Sequence, residues 1–434
     1  MLATLSLCLT LSAAPAAHAA QEPEPPSKRE VKELFEEWQQ LDPRQAEQFE
    51  REQQILARLE LVPLKKNAEK TWRKDLAKWQ DRALRKLPKK GGSHYYWEDE
   101  KKGLFLIGGE TKKPQGLLIG MHGGGVGSGD PNGIHGTISA AGSALDLLTI
   151  SPGVLEKTER GWTDSGTEEW VLDLVDAAIR TWEIDPSRVY FSGHSMGGYG
   201  SWTLGAHHAD RVAGLGPSAG APSPIYNFDE EVIDLDPGVI PNLRNVPMVV
   251  FQSIDDPRVP PDVNQAAARF VAAAKERWGG YEKFRYWEVN GYGHGYPDGG
   301  LQAVVEPLTE FQRELIQERV VWQPVLDWKR QFYWLWWDEP TAEAIVIADL
   351  DRAQNAVRLQ SDADLGGMRV LLDARVLDLE QEVVLFVNGK EVAREMVQPT
   401  LGDLLRTART PDTALHFHAS LRVPAGAGAD SPGE

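Results

Sequence analysis

The sequence predicts a chain of the α/β class: a mostly parallel sheet covered by helices, preceded by a helical segment and followed by a small all-β domain. Three observations carry this. Within residues 91–325 short apolar runs alternate with amphipathic stretches; before that window the pattern is charged and helical; after it the helical repeat disappears. Buried strands alternating with amphipathic helices imply a parallel sheet between helix layers, with any site at the strand carboxyl ends.

At 434 residues the chain exceeds one comfortable core, and 41% apolar residues suit a folded protein. The 64 acidic and 46 basic residues give a formal net charge of −18, which argues against nucleic acid or an anionic membrane as a partner. Residues 1–20 read as an export signal, because Leu2 to Ala14 is nearly all apolar or small and Ala17-His18-Ala19 offers a cleavage site, so an exported protein is expected. The apolar run is too short to span a bilayer, and stable membrane insertion is not expected. Cys8, the single cysteine, lies inside this segment, so a mature chain without thiols is expected. The sequence carries no sign of oligomeric state.

Residues 28–90 suggest two or three helices broken near Asp42-Pro43 and Pro63, with Val31, Leu34, Phe35 and Trp38 on one face and Trp72, Leu76, Trp79 and Ala83 on another. These stripes are short and not heptad-regular, so helices packed onto the next domain are expected rather than a coiled coil. Tyr95-Tyr96-Trp97 and Leu104-Phe105-Leu106-Ile107 read as paired strands, and Leu117-Leu118-Ile119-Gly120-Met121 as a buried one. Further strands recur at 147–150, 188–191, 212–215 and 248–251, with a helix carrying Trp170, Leu174 and Ala178 between two of them. Residues 326–424 read as a separate β domain, in which Asn388-Gly389 signals a type I′ hairpin, and 425–434 as a disordered tail. The aromatic stripe Phe332 to Trp337 is expected in that domain's core rather than as a sugar platform.

One motif stands where such a sheet would hold a site. The strand-like Val189-Tyr190-Phe191-Ser192 runs into Gly193-His194-Ser195-Met196-Gly197, and Gly198-Tyr199-Gly200-Ser201-Trp202 continues as a helix. This context carries the reading, since a five-residue GxSxG alone is weak. Strand, sharp turn and helix hold a serine in a strained elbow where only small residues fit two positions to either side. A serine hydroxyl needs a base and an orienting carboxylate to act as a nucleophile. His294, flanked by Gly293 and Gly295 beyond the strand-like 284–289, is the candidate base. The acid is Asp255 or Asp256 after the strand 248–251; Asp256 is preferred, with a surface helix-cap role for Asp255. The backbone N–H groups of Met196, Gly123 and Gly124 are candidate oxyanion donors, the two glycines following a buried strand in His122-Gly123-Gly124-Gly125. A dinucleotide or phosphate cradle is disfavoured there, because 123–129 lacks GxGxxG spacing and no GK[ST] follows. His135, Trp162 and Tyr292 are candidate substrate contacts on strand-end loops.

At these residues the chain resembles bacterial esterases of the α/β-hydrolase superfamily, near the polyhydroxybutyrate depolymerase, feruloyl esterase and phospholipase/carboxylesterase group. The matching pieces are His122-Gly123-Gly124-Gly125, Gly193-His194-Ser195-Met196-Gly197-Gly198, Asp256-Pro257-Arg258-Val259-Pro260 and Gly293-His294, within about residues 93–320. The resemblance implies an α/β-hydrolase sheet and a carboxylic-ester hydrolase with a Ser195, His294, Asp256 triad. Many relatives carry His-Gly four and three residues before the acid, where this chain has Gln252-Ser253.

No cofactor and no metal site is expected. Adjacent residues on a helix point about 100° apart, so His207 and His208 make a poor chelate, and His416 and His418 are expected at the surface. The segment 222–245 holds five acids from Asp229 to Asp236 and could form a small cap over the pocket. The expected substrate is a small or polymeric ester. The alternatives are a serine peptidase of the prolyl-oligopeptidase type, although 1–90 is too short for a propeller, and a non-catalytic glycan- or surface-binding protein on a hydrolase scaffold.

Overall fold

The computed structural model describes residues 24–95 and 103–428. The expected export segment with Cys8 lies outside these residues, as do Tyr96, Trp97 and 429–434.

The chain opens with helices α1 (Lys28–Trp38), α2 (Ala46–Leu59) and α3 (Lys66–Ala83). Ser27 caps α1: its hydroxyl accepts from the Glu30 N–H while the Glu30 carboxylate accepts from the Ser27 N–H. Val31, Phe35 and Trp38 share one face of α1 and are buried, as expected. They pack with Ile55, Leu56, Leu59, Leu76 and Trp79 against Leu401, Leu404, Leu405 and Ala408 near the far end of the chain, while Arg44 and Asp81 pair with Asp173 and Arg180 of the next domain and Leu87 enters its core. Gln80 fixes that join by donating to the carbonyls of Ala408 and Thr410, both at 2.9 Å.

The central sheet has eight strands: β1 (Gly92–Tyr95), β2 (Leu104–Gly109), β3 (Gly116–Met121), β4 (Leu147–Pro152), β5 (Val189–His194), β6 (Gly214–Ser218), β7 (Met248–Ser253) and β8 (Phe284–Val289). Their spatial order is β1-β2-β4-β3-β5-β6-β7-β8; β2 is antiparallel to both neighbours, and every pair from β4 to β8 is parallel. Leu117 and Ile119 of β3 enter the core beneath α5 (Thr167–Trp182) and α6 (Met196–His207). Leu118 enters a second core with Ile134 and Ile138 of α4 (Asn132–Ala144) and Leu301 and Val304 of α8 (Gly300–Val305). A period of two on a strand with both faces apolar requires helices on both sides, as the sequence implies. Helix α7 (Asp262–Trp278) leads into β8.

The C-terminal region carries the expected small β sheets, with three differences of extent and cover. It begins earlier: β9 (Arg319–Trp322) pairs with β12 (Val346–Asp351), so the β layer starts before residue 326. Its two sheets hold β9, β12, β13 (Ala356–Gln360), β15 (Val383–Val387) and β16 (Lys390–Glu395), and β10 (Gln331–Phe332), β11 (Leu335–Trp337), β14 (Met368–Leu372) and β17 (Ala419–Arg422). The core is not separate, since Trp322, Phe332 and Trp334 pack in one continuous apolar cluster with Val212 and Leu243. Nor is the region all-β, because α9 (Leu401–Thr407) supplies the face that the N-terminal helices cover. The Asn388-Gly389 hairpin forms as expected, with positive φ at both residues. Residues 425–428 are held rather than free: the Ala427 carbonyl accepts from the Leu365 N–H at 3.1 Å. The aromatic stripe is buried throughout.

Candidate active site

Ser195 stands between β5 and α6 with φ 61° and ψ −123°, a backbone that a side chain adopts only under constraint. The constraint is visible around it. A Cβ at Gly193 would strike the Gly197 carbonyl, one at Gly197 the Met121 carbonyl, and one at Gly220 the Ser195 carbonyl. The Ser195 N–H donates to the Ser218 carbonyl at 3.0 Å, tying the turn to β6.

His294, on the loop after β8, reaches this serine. Its Nε2 lies 2.9 Å from Ser195 Oγ and its Nδ1 lies 2.8 Å from Asp256 Oδ2. The Asp256 side chain is fully buried, and its other oxygen accepts from the N–H groups of Arg258 and Val259 at 2.8 and 3.0 Å. A carboxylate accepting there requires the Nδ1–H tautomer, which leaves Nε2 to accept from the serine. The sheet order, the turn after β5 and a histidine joining a β7-end carboxylate to the serine now stand together. The chain has the α/β-hydrolase fold.

Within this fold Asp255 takes a different place from the expected helix cap. Its Oδ1 accepts from the Ser253 hydroxyl and from the N–H groups of Gly291 (3.0 Å) and Gly293 (3.2 Å), and the Ser253 hydroxyl accepts from the Tyr292 N–H at 3.2 Å. The Ser253 hydrogen bond, with those backbone donors, holds its carboxyl below the usual range. The two neighbouring aspartates thus divide the work: Asp256 touches the imidazole, and Asp255 braces the loop that carries it. Gln252, where relatives have histidine, is buried; its amide N–H groups donate to the Ser253 and Val259 carbonyls, and its oxygen accepts from Asn264, all within 2.9 Å. These hydrogen bonds tie the Gln252 side chain into the turn that carries Asp256.

The glycine loop follows β3 and runs beside Ser195. Gly123 abuts the serine so closely that a Cβ there would stand 3.2 Å from Ser195 Cβ, while Met196 opens α6 immediately after it. Gly124 pairs with Gly129 across the small hairpin Gly124–Gly125/Ser128–Gly129. His122 fixes the loop: Nδ1–H donates to the Gly123 carbonyl at 2.9 Å and Nε2 accepts from the Val154 N–H at 3.2 Å. Burial pushes its pKa down, consistent with a neutral ring.

A cleft of about 1070 Å³ opens over Ser195 and His294, walled by Gly123, Gly124, Val126, Tyr199, Tyr226 and Tyr296 among others. None of the three expected substrate contacts lines it. Trp162 is fully buried beneath α6, its indole N–H donating to the His122 carbonyl at 3.2 Å, so it supports the glycine loop from behind. His135 turns toward Ser139 and Gly108 of β2, while its neighbours Gly133 and Ile134 face the cleft. Tyr292 leans on Phe251 and donates to Asp298. Tyr296, four residues later, takes the place on the cleft wall. The sequence also hid His194, whose ring lies between His294 (4.9 Å) and Tyr296 (4.3 Å) and is pushed down to about 4 by burial and by the neighbouring His294. The segment 222–245 does meet the cleft, through the hairpin Pro224–Tyr226/Val232–Leu235.

Among the described residues no group of three or more metal-ligating side chains converges, and no helix is long and apolar enough to cross a membrane.

No family model matches this sequence. A curated relative, a bifunctional acetylxylan esterase/xylanase from Neocallimastix patriciarum, is 24% identical over 214 residues, 43% of this chain and 30% of that protein. The chain therefore matches under a third of that relative's length. Similar solved structures include a thermostable esterase (19% identity, 51% of this chain and 63% of that one, TM-score 0.37) and Est1E from Butyrivibrio proteoclasticus (17%, 50% and 96%, 0.35). A third is LpqC, a poly(3-hydroxybutyrate) depolymerase from Bordetella parapertussis (19%, 51% and 89%, 0.36).

Proposed function

We propose that this protein hydrolyses carboxylic esters through an acyl-serine intermediate. The observation that carries the reading is the single imidazole bridging Ser195 Oγ at 2.9 Å and the buried Asp256 carboxylate at 2.8 Å, at the floor of an open cleft. His294 Nε2 takes the Ser195 proton as Oγ bonds to the ester carbonyl carbon. Asp256 keeps the ring in the Nδ1–H tautomer and stabilises the imidazolium that forms. The carbonyl oxygen, now an oxyanion, lies toward the Met196 and Gly123 N–H groups, with Gly124 shaping the wall beside them; one such donor contributes about 3 to 4 kcal/mol. The carbon–oxygen ester bond then breaks, and the imidazolium returns its proton to the departing alkoxide. Water attacks the acyl-serine with His294 again as base, releasing the acid and restoring Ser195. His194, held neutral, adds no second positive charge beside the imidazolium.

The expected result is turnover of p-nitrophenyl acetate by the wild-type protein and loss of that turnover in Ser195→Ala, with an unchanged circular dichroism spectrum. Undiminished hydrolysis by the variant would overturn the mechanism.

A further inference from the structure

Among the described residues eight large apolar side chains are exposed, and five of them, Val126, Ile225, Tyr226, Phe228 and Ile233, stand on the two hairpins beside the cleft. Apolar side chains scattered singly over a surface need no explanation, but several gathered on the hairpins beside one site do. Val126 and Tyr226 belong to the cleft wall itself, and Ile225, Phe228 and Ile233 stand on the hairpin that carries Tyr226.

The exposure is built into the hairpin. Val232 and Leu235 anchor it in the core, and the turn is locked by Asn227, whose side-chain oxygen accepts from the N–H groups of Asp229 and Glu231, both at 2.9 Å. The Asn227 N–H closes the loop onto the Glu231 carbonyl at 3.0 Å. Phe228 therefore stands at the tip of a hydrogen-bonded turn with its ring wholly in solvent, 108% exposed. The same hairpin carries Asp229, Glu230, Glu231, Asp234 and Asp236, which repel an anionic surface.

We propose that this hairpin, with Val126 of the cleft wall, binds the non-reacting part of an extended, uncharged, apolar ester whose length exceeds the cleft. The proposal rests on the ester-hydrolase reading, and the test separates the two. Hydrolysis of ethyl acetate and of emulsified octyl octanoate is followed by acid release for the wild-type chain and for Phe228→Ser/Ile233→Ser, whose two positions lie outside the cleft wall. The expected result is a fall of about tenfold in kcat/KM for octyl octanoate with ethyl acetate unaffected. Equal effects on both esters would overturn the proposal. A second measurement needs no turnover: Ser195→Ala is depleted from water by octyl octanoate droplets, and adding the two serines to that variant abolishes the depletion. Droplet binding unchanged by the two serines would also overturn the proposal, while binding without hydrolysis of either ester by the wild-type chain would sink the catalytic reading and leave the apolar rim standing.

Discussion

Among the described residues two clusters pair histidine with a buried carboxylate, one at each end of α6, about 17 Å apart along the helix. At the start of the helix His294 joins Asp256 to the Ser195 hydroxyl and borders the cleft. At its end Glu168, on α5, takes His207 Nδ1 and His208 Nε2, each at 2.9 Å. The residue types and distances are nearly the same. The difference lies in the remaining nitrogen: His294 presents Nε2 to a hydroxyl, whereas His208 Nδ1 is buried without a partner. Around the second cluster the Lys329–Asp210 and Arg313–Asp412 pairs, both 2.7 Å, join the core of the central sheet to the C-terminal sheets. A histidine–carboxylate pair therefore indicates chemistry only when a nucleophile and an open site complete it, and otherwise serves as a joint.

The sharpest way to break this comparison is to remove one charge from each cluster. Asp256→Asn turns a donor toward His294 Nδ1 and favours the wrong tautomer, so kcat for p-nitrophenyl acetate is expected to drop by about 10⁴ with little change in stability. Glu168→Gln is expected to do the reverse. Burial opposes the charge on Glu168, yet His207 and His208 outweigh it and hold the group down at about 2, so the carboxylate is ionised at neutral pH. An amide there turns its own donor toward an imidazole donor, and a loss of about 3 kcal/mol in urea unfolding is expected with kcat retained. A Glu168→Gln protein of normal stability and poor activity would erase the distinction.

The sequence made the first cluster legible and obscured the second. The elbow is local: Gly193 and Gly197 flank the serine because backbone passes within contact of their Cα atoms, and such steric demands leave a residue-type signature. Asp256 and His294 follow strand ends in order, and parallel-sheet logic puts such residues at the same edge as Ser195, where their side chains meet. Which side of a loop faces a cleft has no such signature, and that is why Trp162, His135 and Tyr292 were misplaced while Tyr296 and His194 were overlooked. Contacts across hundreds of residues were equally hidden. Nothing near Gln80 indicates that it would bond Ala408 and Thr410, and the expectation of surface exposure for His416 failed for the same reason.

A smaller effect tests how the two aspartates of the turn divide their roles. All three hydrogen bonds to Asp255 end on Oδ1, which an asparagine can supply. Asp255→Asn is therefore expected to retain near wild-type activity, while Asp255→Ala frees the Gly291–Gly293 loop and lowers kcat about tenfold. If instead Asp255→Asn fell by orders of magnitude and Asp256→Asn did not, the acid would be Asp255.

The smallest expected effect concerns histidines that burial keeps neutral in both regions. His194 beside the cleft and His416 beneath the C-terminal sheets are each pushed down to about 4, chiefly by burial. His416 donates from Nε2 to the Thr410 carbonyl at 2.8 Å, a bond that needs no positive charge. Its folded pKa lies below the ordinary value of about 6.5, so between about pH 6.5 and 4 the unfolded chain binds a proton that the folded chain refuses. Stability is then complete above about pH 6.5 and is lost as pH falls toward 4. His416→Gln keeps a donor for Thr410 but cannot titrate, so the decline in unfolding free energy from pH 6.5 to 5 should shrink by about 1 kcal/mol relative to wild type. A variant with the same acid slope as the wild-type protein would mean that His416 opens to water before it protonates, and the C-terminal joint would then be looser than the site it supports.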